Sequence, residues 1–172
     1  MGRIVIFGGT FDPFGEHHLN ALRRLLVKFQ TIVIAVGDRN PLKSWAPSPL
    51  EMRIRMIELV LNAEGIRIVD SPLERGVFIP RAKYWFAYQF VEWWRVVYPG
   101  LALVWAVGSD IVGEVANWKN WKEMNEVERI EVYELERLES LGSSTEIRHG
   151  VRLAHPSVRE FIAEHGLYKK EF

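Results

Sequence analysis

Hydrophobic positions fall along the chain in two rhythms: short continuous apolar runs, and longer runs that repeat near 3.6 residues. The short runs are residues 3–7 (RIVIF), 31–37 (TIVIAVG), 66–69 and 101–108 (LALVWAVG), and 129–135 alternates as a strand. Uninterrupted runs of that length suit strands buried on both faces of a parallel sheet. The longer runs predict an amphipathic helix over 19–29 and a second over 49–63, where Met52, Met56, Leu59 and Val60 share a face while Arg53 and Arg55 lie off it. An aromatic helix is expected from about 82 to 98, ended by Pro99-Gly100, then a mostly helical segment over 113–127, a short helix at 146–149 and a last one over 155–166. The stretches 38–49 and 71–81, rich in proline or in glycine and charge, read as loops.

Strands that take turns with helices argue an α/β architecture, a doubly wound, parallel, Rossmann-like sheet. With 172 residues, 48% of them hydrophobic, and no internal repeat or low-complexity linker, the chain suits a single domain over 1–172, its helical carboxyl-terminal portion running from about 143. Lysine plus arginine and aspartate plus glutamate each number 22, so no net field favours long nucleic acid or anionic membrane; a small phosphorylated ligand needs only a local positive site. Cysteine is absent, which excludes disulfides, thiolate nucleophiles and cysteine-based zinc sites. The chain runs into its first strand without a signal-peptide pattern and has no apolar stretch long enough to span a bilayer, so cytoplasm is the expectation. A homo-oligomer is left open.

Chemistry is expected first at residues 8–19, GGTFDPFGEHHL. A strand, a glycine-rich turn and a helix start in that order bring unpaired N–H groups and the positive end of a helix dipole together, which suits phosphate. Gly8 and Gly9 permit close backbone approach, Thr10 and Phe11 continue the turn, and Asp12-Pro13 is a turn signal. His17 and His18 fall in the first helical turn, where imidazoles can donate to phosphate oxygens. A solvated helix cap is the plainer reading of such a pair.

A second constellation is Ser143-Ser144-Thr145-Glu146-Ile147-Arg148. Hydroxyls at a helix start, with a guanidinium one turn on, suit a polyphosphate. The same letters also spell a capping box, Ser143 to Glu146, with Arg148 as a surface charge. Between the two lies Gly108-Ser109-Asp110 at the end of a buried strand. Ligands of open α/β sheets collect at the carboxyl ends of strands, so Asp110 should stand near the first glycine turn.

Taken together, GGTFDPxxxxHL near one terminus and SSTEIR followed by HPSVREFIAEHGLY near the other resemble the HxGH nucleotidyltransferase superfamily, and within it the bacterial-type nicotinate mononucleotide adenylyltransferases. The resemblance covers nearly the whole chain. It implies that Gly8, Gly9, Thr10, Phe11, Gly108, Asp110, Ser143, Ser144 and Thr145 surround ATP, and that His18, His17, Lys43 and Arg148 face the phosphates. Arg53, Tyr84, Trp85 and Trp118 would border the acceptor, with Trp118 stacking on a pyridine ring; by residue type alone, core is the favoured reading of Trp118. Mg²⁺ would arrive with ATP, and no protein metal site is expected.

The chain departs from that pattern on the ligand side. Where the family has His-x-Gly-His, this sequence reads Gly15-Glu16-His17-His18: the second histidine is kept as His18, the first is Gly15, and a histidine stands at the glycine position as His17. Lys83-Tyr84-Trp85 replaces Ser-Tyr-Thr, whose threonine helps hold the nicotinate carboxylate, and Gly142 replaces the usual isoleucine. The implied activity is adenylyl transfer from ATP to nicotinate or nicotinamide mononucleotide, with pyrophosphate released. A nucleotide-binding relative without turnover, and a nucleotidyltransferase using another phosphorylated acceptor or CTP, are the alternatives.

Overall fold

The computed structural model describes residues 3–39 and 45–169. Six strands form one sheet in the order β3-β4-β2-β1-β5-β6: β1 Ile4–Gly9, β2 Thr31–Val36, β3 Ile68–Val69, β4 Gly76–Phe78, β5 Val104–Gly108 and β6 Glu131–Leu135. Every pairing is parallel. Helices α1 Glu16–Lys28, α2 Leu50–Ala63, α3 Ala87–Val97, α4 Trp121–Glu128, α5 Ser144–Arg148 and α6 Pro156–Glu164 connect and cover it.

The apolar runs need both faces covered, and side-chain alternation divides them between two cores. Ile32, Ile34 and Val36 of β2, Val5 of β1, and Val104 and Ala106 of β5 pack toward α1, α2 and α6. Their neighbours Val33, Ala35, Ile6, Trp105 and Val107 enter an aromatic cluster with Phe90, Trp94 and Trp121. The chain leaves β1 for β2 on one side and later returns to β5 on the other, with Phe7 opposite Ala106. The crevice above β1 and β5 is therefore the switch point where ligands of such sheets bind.

The doubly wound parallel sheet matches the expectation, with local corrections. Strand β4 lies inside the predicted loop 71–81; its Gly76 has φ +146, and a Cβ there would stand 2.8 Å from the Arg67 carbonyl oxygen. Three residues opened by a glycine carry too little pattern to be read as a strand. Helix α3 starts at Ala87 rather than 82, because Gln89 Oε1 accepts the N–H groups of Trp85 and Phe86 (2.9 and 3.0 Å) and caps it there. The predicted segment 113–127 divides into a 3-10 turn, Val112–Asn117, and α4, parted at Asn120 in the left-handed region (φ +55).

Candidate phosphate site at the β1–β5 crevice

The turn after β1 is built by close approach and burial. A Cβ on Gly8 would meet the Trp105 ring at 2.8 Å. Phe11 adopts φ +51, is 2% exposed, and packs edge-on against Phe7 and His18 at centroid distances of 5.4 and 4.8 Å. Asp12, joined to Pro13 by a cis peptide, is 1% exposed. Its carboxylate accepts the Ser48 N–H at 2.8 Å and the Tyr168 hydroxyl, which fastens the loop before α2 and the carboxyl-terminal segment to one turn.

Gly15 is the N-cap of α1. Its N–H donates to His18 Nδ1 at 3.0 Å, so in the neutral tautomer the His18 proton sits on Nε2. The His18 ring stacks on Phe14 at 5.2 Å and lies 3.7 Å from the His17 ring. His17 Nδ1 is buried without a hydrogen-bond partner. Burial first, then the Arg137 and Arg152 charges, push the His17 imidazole down to about 4, with Glu146 opposing. His17 is thus neutral at ordinary pH. A Cβ at Gly15 would stand 2.9 Å from Ile147 Cδ1 and 3.0 Å from both Cε1 and Nδ1 of His17.

Helix α5 docks on the same turn. Ser144 Oγ donates to the Pro13 carbonyl at 2.8 Å, and Arg148 Nη1 donates to the Asp12 carbonyl at 2.7 Å. Arg148 Nη2 reaches Thr145 Oγ1 at 3.1 Å, and its guanidinium lies 4.1 Å above the Trp45 ring. Half of the expected capping box forms: Ser143 Oγ accepts the Glu146 N–H at 3.3 Å, whereas the Glu146 carboxylate turns to Arg152 at 3.1 Å. Arg152 crosses over Gly142, where a Cβ would be 2.0 Å from its Nε and the backbone has φ +81. The positive φ favours glycine at this position and would strain isoleucine.

The end of β5 completes the crevice. Asp110 pairs with Arg137 Nη1 at 2.8 Å, both side chains being 42–46% exposed, and the Arg137 N–H donates to Ser109 Oγ at 3.0 Å. Trp118 is half-buried, edge-on to Trp105 and Trp121 at 6.2 and 5.3 Å. Through Trp105, which lies beneath Gly8, this aromatic group borders the glycine turn.

Two acceptor candidates prove to be framework. Arg53 is 0% exposed and donates to four carbonyls: Ser48 through Nε at 2.7 Å, Thr10 and Gly37 through Nη1 at 2.8 and 2.6 Å, and Asp38 through Nη2 at 2.9 Å. It braces the ends of β1 and β2 and has no surface to offer a substrate. The Tyr84 hydroxyl donates to the Ala35 carbonyl at 2.7 Å, and burial raises its pKa well above the ordinary range. Trp85, in contrast, is 50% exposed. Lys43 lies outside the described residues.

Tyr168, Trp45 and Arg137 were not among the sequence candidates, and Asp12 entered only as part of a turn signal; each has a partner far away in the chain. Among the described residues no group of three or more His, Cys, Asp or Glu could hold a metal ion. A hollow of about 480 Å³ opens elsewhere, beside Leu101 and Leu103 before β5. Convergent donors, not volume, locate the site. No helix among the described residues is long and apolar enough to cross a membrane.

The chain is similar to several known proteins. A Roseobacter denitrificans protein named "Probable nicotinate-nucleotide adenylyltransferase" is 27% identical over 118 residues, 67% of this chain and 56% of its own length. One of the same name from Gluconobacter oxydans is 30% identical over 120 residues, 68% of this chain and 58% of its own. The chain thus spans a little over half the length of these curated relatives. Nicotinic acid mononucleotide adenylyltransferase of Plasmodium falciparum, solved in complex with NaAD, superposes with a TM-score of 0.72 over 98% of both chains at 16% identity, which establishes the shared fold. The pattern of the cytidylyltransferase-like family matches residues 6–150, and the chain belongs to that family.

Proposed function

We propose that the protein transfers the adenylyl group of ATP to the phosphate of nicotinate or nicotinamide mononucleotide, giving a dinucleotide and pyrophosphate. The observation that carries this reading is the joining of two helix starts, α1 with His18 and α5 with Arg148, on the single Asp12–Gly15 turn at the switch point. The names of the curated relatives support the same reaction.

In this reaction an oxygen of the acceptor phosphate attacks the α-phosphorus, the bond to the β-phosphate oxygen breaks, and pyrophosphate leaves. The nucleophile is already anionic, so no general base is needed; rate comes from positioning and from neutralising charge on the phosphates. The Nε2–H of His18 donates to a phosphate oxygen, while Arg148 and Lys43 offset the charge of the leaving pyrophosphate. Gly8, Gly9, Thr10 and Phe11 give the nucleotide a close backbone surface, with Ser143, Ser144 and Thr145 opposite and Gly108 and Asp110 toward a ribose. Trp118 and the exposed Trp85 ring provide faces for the acceptor's planar base. Among the described residues the carboxylates do not form a cage: Asp12 is buried and Asp110 is paired with Arg137. Mg²⁺ therefore fits as a companion of ATP held by phosphate oxygens and water, where it supplies charge neutralisation.

Trp85 has no side-chain hydroxyl for a carboxylate, which favours a second reading with another phosphorylated acceptor, or CTP as donor. Incubation with ATP or CTP against nicotinate mononucleotide, nicotinamide mononucleotide and other sugar phosphates, with products identified by mass, tests both. The reading expects a dinucleotide from ATP and a pyridine mononucleotide; products only from other pairs would replace it.

A further inference from the structure

Nicotinate and nicotinamide mononucleotide differ at one point, a carboxylate against a carboxamide on the pyridine ring, and the donors of residues 84–86 do not tell them apart. The Tyr84 hydroxyl is spent on the Ala35 carbonyl at 2.7 Å. The N–H groups of Trp85 and Phe86 are spent on Gln89 Oε1 at 2.9 and 3.0 Å. What remains is the exposed Trp85 ring with its indole N–H, a neutral donor that serves either substituent. A cation stands beside this edge. Lys119 follows Trp118 in the turn before α4, and its ammonium lies 4.6 Å from the centre of the Phe86 ring, which brings residues 118–119 to residues 85–86. Lys119 is exposed and forms no ion pair among the described residues, so its charge is uncommitted. A cation over an aromatic face at an exposed site is held weakly, so Phe86 places the ammonium without keeping it from an anion.

We infer that Lys119 is the specificity-determining residue at the acceptor: its ammonium pairs with the carboxylate of nicotinate mononucleotide while Trp85 and Trp118 flank the ring, and the protein thereby selects the acid over the amide. The chemistry is one-sided. An ammonium has donors and no acceptor, so a carboxylate satisfies it through both charge and hydrogen bonding, whereas a carboxamide offers a single neutral oxygen and turns its own NH₂ donors toward the cation. Selection then comes from charge, which the neutral Trp85 side chain does not supply.

The inference rests on the adenylyl-transfer reading above. For wild type, K119M, K119R, K119E, K83M and K122M, kcat/KM with saturating Mg²⁺ and ATP is measured for each mononucleotide by pyrophosphate release, and the affinity for each by calorimetry. A charge-assisted pair at a partly solvated edge discriminates by about tenfold, so wild type should favour nicotinate mononucleotide by about that factor in both readouts. K119M, of similar length but uncharged, should bring the two acceptors to within about twofold, the loss falling in KM and not in kcat. K119R should stay within about threefold of the wild-type preference, and K119E should reverse it. Lys83 and Lys122 are the exposed lysines on the flanking segments, and K83M and K122M should keep the preference. A wild type that treats the two acceptors alike overturns the inference. So does a K119M that still prefers the acid, a K119R no better than K119M, or a K83M or K122M that abolishes the preference. A wild type that binds the acid more tightly but releases no pyrophosphate with either acceptor refutes the proposed reaction instead, and the affinities of the variants then decide for or against Lys119; one that binds neither overturns both.

Discussion

The guanidinium of Arg148 donates to the main-chain carbonyl of Asp12 at 2.7 Å, joining residues 136 positions apart in the chain. That bond aims the arginine along the turn that carries His18, and Trp45 covers its other face at 4.1 Å. Lysine has neither the fork nor the planar face for both contacts. R148K should therefore lose about 10²-fold in kcat, nearly as much as R148A, in an assay of pyrophosphate release. A lysine variant with wild-type turnover would show that Arg148 supplies only diffuse charge.

Arg53 predicts a stability effect, not a substrate effect. R53M fills much of the same volume but leaves the Ser48, Thr10, Gly37 and Asp38 carbonyls without their donor. Several buried acceptors lost together should cost about 3 kcal/mol or more by urea denaturation. An undiminished midpoint with a tenfold higher acceptor KM would return Arg53 to the substrate pocket.

Tyr168 closes the carboxyl-terminal segment on the same turn by donating to Asp12, and burial and the Asp12 carboxylate raise its pKa well above the ordinary range. Y168F keeps the ring and removes the bond, so about 1–3 kcal/mol of stability should go with it, since a buried carboxylate oxygen is left unsatisfied. Thermal melts of the two proteins decide; identical curves would mean the hydroxyl contributes nothing.

His17 makes stability depend on pH in a defined window. Its imidazole titrates near 4 in the folded protein, against about 6.5 when unfolded. Between those values the unfolded chain binds more protons, so the contribution is present above about 6.5 and is lost as pH falls toward 4. The facing groups are Arg137, Arg152 and Glu146, with His18 in ring contact. Allowing for partial exposure, the loss should be on the order of 2 kcal/mol, and H17F should flatten it. Denaturation at pH 4.5, 5.5 and 7 measures the slope; parallel curves for wild type and H17F would contradict the assignment.

Much of the fold was legible because its strands are pure apolar runs: TIVIAV of β2 is buried at all six positions. The pairing of β1 with β5, which sets the end of β5 beside the end of β1, followed from the two apolar runs. Strand β4 was not legible, since its pairing with β2 and β3 comes from tertiary contact, not from its three residues. Arg53, expected at the acceptor from the resemblance, is buried, and only the folded chain shows four carbonyls converging on it.

The measurement that bears most directly on the account is the rate of pyrophosphate release with saturating ATP, Mg²⁺ and nicotinate mononucleotide, compared between wild type and H18A at matched stability. Pyrophosphate should form one for one with dinucleotide, and H18A should be slower by about 10²–10³-fold. Equal rates, or no pyrophosphate with either pyridine mononucleotide, would contradict it.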